Sequence, residues 1–207
     1  MPNTRRRSAK DDGPQVRDRL LEAGTRLFSE RGYAATSVGA ICEHAGVGKP
    51  ALYWHFESKE GLLTAVLDSL SSRWIDEVRK RTAQAPDAGQ QLTLLLAGMR
   101  SLVIDEPQLQ RLPTLAALEQ GSESGVIRAA VLEIWNKSAE GLVAGFSAAT
   151  GRTREDVEAV AFVLLGLLSA AAVRYSIDGD VNRLDRSFVA MERAVRAMLA
   201  APREEPS

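Results

Sequence analysis

Lys49, Tyr53, Trp54 and His55 lie within seven consecutive residues and bring together an ammonium, a phenol, an indole and an imidazole. If this segment is helical, Leu52 and Phe56 step by four and can face a core, which leaves Lys49, Tyr53 and His55 able to project from the other side. Trp54 reads either as part of that outward set or as core packing. Hydroxyl and imidazole groups can reach phosphate oxygens, and an ammonium near a helix start can reach O6 and N7 of guanine in a major groove. Such a strip suits recognition of duplex DNA rather than turnover. A catalytic reading lacks its parts. Both histidines, His44 and His55, fall within residues 36–56, no nucleophile stands in a recognisable motif, and no glycine-rich phosphate loop follows a strand. Cys42 is the only cysteine, so no intramolecular disulfide forms, and with two histidines a clustered zinc site is not expected. Cys42 itself reads as a small buried hydrophobe, and His44, two residues on, falls on another helix face. The chain is expected to be neither an enzyme nor a carrier of a metal or cofactor.

The elements that must hold this strip follow from periodicity. Val16, Leu20, Ala23 and Leu27 mark one face of a first helix that stops at Gly32. Thr36 or Ser37 then caps a short helix containing Val38, Ile41 and Ala45, and Gly46 permits a tight turn. Pro50 suits the first turn of a third short helix ending near Phe56. Two short helices joined at Gly46 make a helix-turn-helix with its second helix exposed. Ser58 caps a longer fourth helix with Leu62, Val66, Leu70 and Trp74 on its buried side. Further helices fit residues 88–104, 107–120, 124–150, 154–177 and 183–200, with Pro107 and Pro113 at or near starts. The expectation is an all-α chain of about nine helices.

At these residues the sequence resembles the TetR family of bacterial transcriptional regulators. Thr36-Ser37-Val38, Ile41, Ala45-Gly46-Val47, Leu52-Tyr53-Trp54-His55-Phe56 and Ser58-Lys59-Glu60 reproduce that family's N-terminal motif almost throughout, and Leu27-Phe28 with Gly32-Tyr33 match the helix before it. The resemblance is specific over residues 15–65, and beyond them only length and helical content agree. It implies that Tyr53, His55 and Thr36 or Ser37 hold the phosphate backbone, and that Lys59 binds phosphate at the start of the fourth helix. It also implies that Lys49 and Ala51, beside Pro50, begin the base-reading helix. Gly39 departs from the pattern, since some members carry a base-reading side chain there. Specificity is then expected to rest on the third helix and the N-terminal arm.

Four segments follow from this reading: an arm at 1–14, a DNA-binding domain at 15–60, a helical ligand-binding and dimerisation domain at 61–201, and a tail at 202–207. In the arm, Arg5-Arg6-Arg7 reads as a solvated tail, with a minor-groove contact as the alternative. A palindromic operator needs a two-fold protein. The stretch from Val160 to Leu168 is apolar on every side, and in the last helix Leu184, Phe188, Met191, Val195 and Met198 form a narrow seam. A homodimer through Phe162, Leu165, Leu168, Ala172, Leu184, Phe188, Met191 and Val195 is expected. A small apolar or aromatic effector is expected among Met99, Arg100, Leu102, Glu119, Trp135, Ser138 and Tyr175, which mix apolar walls with isolated polar groups.

Composition is compatible with all of this. The 45% hydrophobic and 26% charged fractions exclude wholesale disorder. Residues 1–60 carry 10 Lys and Arg against 8 Asp and Glu, while residues 61–207 carry 16 against 19, so the balance permits nucleic-acid contact by the N-terminal part without itself suggesting it. The longest uncharged stretch, 159–173, is 15 residues and short for a bilayer span, so it reads as a buried helix and not as a membrane segment. The polar N-terminus does not read as a secretory signal, and a reduced cytoplasmic location is expected. The expected function is a ligand-responsive DNA-binding regulator, a repressor released from its operator by the effector. The competing expectation is a helical ligand-binding or interaction protein that no longer binds DNA.

Overall fold

The computed structural model describes residues 13–83, 85, 87–119 and 125–201, so the Arg5-Arg6-Arg7 arm and the 202–207 tail lie outside the described residues. Among the described residues there are nine α-helices and no strand: α1 (Gly13–Arg31), α2 (Val38–Ala45), α3 (Lys49–Phe56), α4 (Lys59–Thr82), α5 (Ala88–Asp105), α6 (Gln108–Glu119), α7 (Gly125–Thr150), α8 (Arg154–Asp178) and α9 (Val181–Ala200). The expected bounds hold to within about two residues. Side-chain caps fix the starts: Ser37 Oγ accepts from the Ala40 N–H, Ser58 Oγ from Gly61, Asp87 from Gln90 and Asp180 from Arg183. Thr153 and Asp156 form a reciprocal capping box on α8. Pro113 departs from expectation. It is the sixth residue of α6, where its missing N–H removes one intrahelical bond.

Three layers of packing position the site. The helices α1, α2 and α3 close around Leu20, Leu27, Phe28, Ile41, Leu52 and Phe56, all buried. The second layer is α4, which touches α1 and α3 at one end and α5, α6 and α7 further along. Beyond it, α8 packs on α6, α7 and α9, and α9 on α5. One continuous apolar core runs through all three layers. The expected division at residue 60 falls inside the first turn of α4, an unbroken helix of 24 residues.

Helix α8 is, among the described residues, the one helix long and apolar enough to cross a membrane by length and composition, and 39% of its most apolar window is buried inside the protomer. Counting uncharged residues alone understated it, because a single charge near either end does not interrupt the apolar body. Its buried face carries Val157, Val160, Ala161, Leu164, Leu165, Leu168 and Ala172. On its opposite face Phe162, Val163, Leu167, Val173 and Ile177 are exposed.

Candidate nucleic-acid interface and ligand cavity

The turn between α2 and α3 is set by Gly46, whose φ of 65° lies in the left-handed region and whose N–H bonds back to the carbonyls of Cys42 and Glu43. Leu52 and Phe56 lock one side of α3 into the core. Lys49 and Pro50 are exposed, Ala51 and His55 half-buried. Tyr53 is 50% and Trp54 76% exposed, which removes Trp54 from the core. The His55 ring stands edge-on to Trp54, centroids 4.4 Å apart. On the helical repeat, Lys49 sits over Tyr53 and Pro50 over Trp54, so the exposed side is one strip of mixed cationic and aromatic character. Gly39 lies under the Lys49 stem, where a Cβ would come 3.9 Å from Lys49 Cε.

Thr36 and Ser37 divide the roles that the sequence left open. Ser37 is exposed and is the cap. Thr36 is 1% exposed, with its Oγ1 2.7 Å from the Gly32 carbonyl and 3.2 Å from that of Leu27. Its hydroxyl is held inside the domain by these two carbonyls, because a buried hydroxyl takes the partner at hand. Lys59 Nζ stands over the Tyr33 ring, 4.1 Å from its centroid. Burial first, and then the negative charge of Glu60, push the Tyr33 phenol up to about 12, so the ring stays neutral under that cation. Cys42 is buried, and burial raises its thiol against a smaller opposing pull from Lys49. Sequence reasoning passed over Arg17 and Arg19. Arg17 lies over the Phe56 ring at 5.5 Å, and Arg19 reaches the turn, where its Nη1 would be 3.9 Å from a Cβ on Gly46. Their exposure on α1 was legible, but their place beside α3 depends on how α1 crosses it.

The join between α3 and α4 is tight. Glu57 takes a positive φ of 64°, the Ser58 N–H donates to the Phe56 carbonyl at 2.6 Å, and α4 begins at once. A Cβ on Gly61 would fall far inside contact distance of that same Phe56 carbonyl oxygen, so only glycine lets the two helices approach this closely. On the other side of α4, Gly24 of α1 leaves room for Leu62 and Val66.

The larger cavity, about 530 Å³, lies between the last turns of α4, the start of α5, the second half of α7 and the end of α9. Its size falls in the range of small-molecule sites, ~300–1,000 Å³. Trp74, Ile75, Val78, Leu92, Leu95, Leu142, Phe146 and Leu199 supply apolar walls, and Gly141, Gly145 and Ala149 leave the space open. Of the residues expected around an effector, Ser138 lines this cavity. Ser138 and Trp135 also line a smaller space of about 50 Å³ beside Ser71, whose buried Oγ has no hydrogen-bond partner among the described residues. Glu119 apart, the other residues expected around an effector lie away from these two spaces. Met99 and Leu102 are core, Arg100 is paired with Asp185, and half-buried Tyr175 lines neither space. The Glu119 side chain lies outside the described residues. The step of four through Gly141, Gly145 and Ala149 was the available signal for the open side of α7.

The eight residues expected at a dimer interface separate sharply. Phe162 is 68% exposed, whereas Leu165, Leu168, Ala172, Leu184, Phe188, Met191 and Val195 are buried within the protomer itself. A seam at helical spacing reads alike whether it packs on its own core or on a partner, and the α9 seam packs on its own. The exposed apolar face instead comprises Phe162, Val163, Leu167, Val173 and Ile177 of α8, with Val181 and Val189 of α9. No group of three or more metal-ligating side chains occurs among the described residues.

Residues 20–66 match the family model described as bacterial regulatory proteins, tetR family. The chain is 35% identical over 106 residues to the HTH-type transcriptional regulator TtgR of Pseudomonas putida, covering 48% of each chain. It is 36% identical over 89 residues to the HTH-type transcriptional regulator AcrR of Shigella flexneri, covering 43% of this chain and 40% of that one. The chain thus spans about half the length of the curated relatives it matches. Its fold superposes on a TetR transcriptional regulator from Chloroflexus aurantiacus with TM-score 0.78 at 19% identity, over 90% of this chain and 96% of the other. A TetR-family regulator from Streptomyces coelicolor gives 0.77 at 21% identity, over 91% and 97%.

Proposed function

Because residues 20–66 match the model of the tetR family of bacterial regulatory proteins and 90% of the chain shares the fold of such a regulator, we propose that this protein is a cytoplasmic, homodimeric transcriptional repressor. It binds a palindromic operator through α3 and leaves it when a small molecule enters the cavity. Proteins of this family are in general DNA-binding regulators rather than enzymes. The observation that carries the proposal is the strip on α3: two exposed aromatics and a cation stand on a helix whose opposite side is fixed in the core. In this reading Lys49 and Ala51 reach base edges, Tyr53, Trp54 and His55 lie along the backbone, and Ser37 and Lys59 add phosphate contacts, with Arg17 and Arg19 as flanking cations.

Dimerisation follows from geometry of the same kind. Two recognition helices must lie about 34–36 Å apart to enter successive major grooves, and the unpartnered face of α8 and α9 is the surface that a second copy would cover. The test is fluorescence anisotropy on duplexes selected from genomic fragments. Tyr53→Ala should weaken binding to every sequence, whereas Lys49→Ala should cost about 1–3 kcal/mol, mainly at one base position. Folded variants that bind as tightly as the parent would remove α3 from the interface.

A further inference from the structure

The chemistry of the cavity wall is more informative than its size. The charged groups lining it are Arg79, Lys137 and Arg196, and no carboxylate lines it among the described residues. The acids that answer two of these cations stand behind the wall. Lys137 Nζ lies 2.8 Å from Glu133 and 3.4 Å from Asp68, and the Arg196 guanidinium 2.7 Å from Glu192. Arg79 differs. Its nearest carboxylate oxygen, on Asp76, is 3.8 Å away, beyond hydrogen-bond reach, and its side chain donates to no other described residue. A guanidinium has five N–H donors in a planar fork that fits the paired oxygens of a carboxylate, sulfonate or phosphate. The Arg79 side chain is 76% exposed, so it offers these donors from the solvent side of the cavity, where water weakens each contact.

Resting on the ligand-responsive reading above, we propose that the cavity takes an amphipathic anion. Its apolar body lies along Trp74, Leu95 and Phe146, and its head group meets the free donors of Arg79. An ammonium in the same position would meet the three cations that line the cavity and no lining carboxylate, the Asp76 carboxylate standing 3.8 Å from the Arg79 guanidinium. A neutral head group would gain one ordinary hydrogen bond where the anion gains charge-assisted ones.

The experiment is calorimetric titration of the full-length protein with decanoate, decan-1-ol and decylammonium, three probes with one body and different heads, each below its aggregation concentration. Decanoate should bind about tenfold or more tightly than the alcohol, with the ammonium weakest. Arg79→Gln should close the gap between decanoate and decanol while leaving decanol unchanged. Gly145→Phe, which fills open space on α7, should abolish binding of both with the far-ultraviolet dichroism of the parent. Decanol or decylammonium binding as tightly as decanoate, no detectable decanoate binding, or an undiminished gap in Arg79→Gln would each overturn the proposal. So would decanoate binding that survives Gly145→Phe. Anisotropy on operator DNA keeps the two readings apart. Decanoate that binds in the cavity without releasing DNA would count against ligand-controlled repression and leave the head-group inference standing, whereas release by decylammonium alone would do the reverse.

Discussion

Thr36 and Ser37 are adjacent hydroxyls with opposite surroundings, and their difference marks the limit of what spacing can tell. Either could cap α2 by sequence, since both side chains offer an oxygen at the right distance from the third N–H. Only the path of the chain from Gly32 to Ser37 decides that Thr36 turns inward to the Gly32 and Leu27 carbonyls. Thr36→Val keeps the shape and removes the hydroxyl, so it should cost about 1–2 kcal/mol of stability, measured by urea unfolding. Operator affinity of the folded variant should change by less than about twofold. A loss of affinity as large as that of Tyr53→Ala, with stability intact, would return Thr36 to the interface. Tyr53, Lys49 and the glycine turn were legible because three residues alone, Gly46, Leu52 and Phe56, fix which way α3 faces. The cavity residues were not legible, since a long apolar helix such as α7 does not state which of its faces meets a gap.

Among the elements, the join of α3 to α4 sets how freely the recognition helix can move. The Phe56 carbonyl accepts the Ser58 N–H and lies against the Gly61 backbone, so the two axes are held at one angle. Gly61→Ala places a methyl where that oxygen stands. Backbone, unlike a side-chain tip, cannot swing aside, and the substitution should destabilise by about 1–3 kcal/mol despite the usual preference of helices for Ala over Gly. It should also weaken DNA binding, because α3 must tilt to make room. Urea unfolding and anisotropy together check this, and a variant as stable as the parent would show that the approach is not close in solution. The breaks that delimit these helices were readable in the sequence to within about two residues, as was the cap at Ser58, whereas those at Asp87 and Asp180 were not. The angle between helices was not, because it is set by which side chains are missing at the crossing.

At the scale of the molecule, two ends of one helix face two different events. The start of α4 is joined to α3, and its last turns wall the cavity. If both sites bias the same position of α4, their coupling is reciprocal: a ligand that weakens operator binding must itself be bound more weakly in the presence of operator, by the same factor. The coupling should be about 1–3 kcal/mol. Titrating the ligand with and without saturating DNA measures it, and equal affinities would disconnect the two sites. The proposed dimer is tested at the same scale. Phe162→Asp puts a charge on an exposed face, so the protomer should keep its fold and light scattering should report a monomer. Leu168→Asp puts the same charge into the protomer's own core, and should cost several kcal/mol and unfold it. Were Phe162→Asp to remain a dimer, the partner surface would lie elsewhere. The apolar stretch of α8 was evident from sequence, but a pattern apolar on all sides does not say which half the chain covers for itself.

The gap at Gly24, filled by Leu62 and Val66, determines where this polypeptide can be divided. A fragment ending at Glu60 would carry every residue of the described structure expected to touch DNA, yet it would leave the inner face of α1 without its floor. The smallest piece able to stand alone must run through at least the first two turns of α4, to about residue 66, which is also where the match to the family model stops. A DNA-reading head grafted onto a different body, whether by recombination in a genome or in a designed chimera, would therefore have to be cut within a helix rather than at a loop.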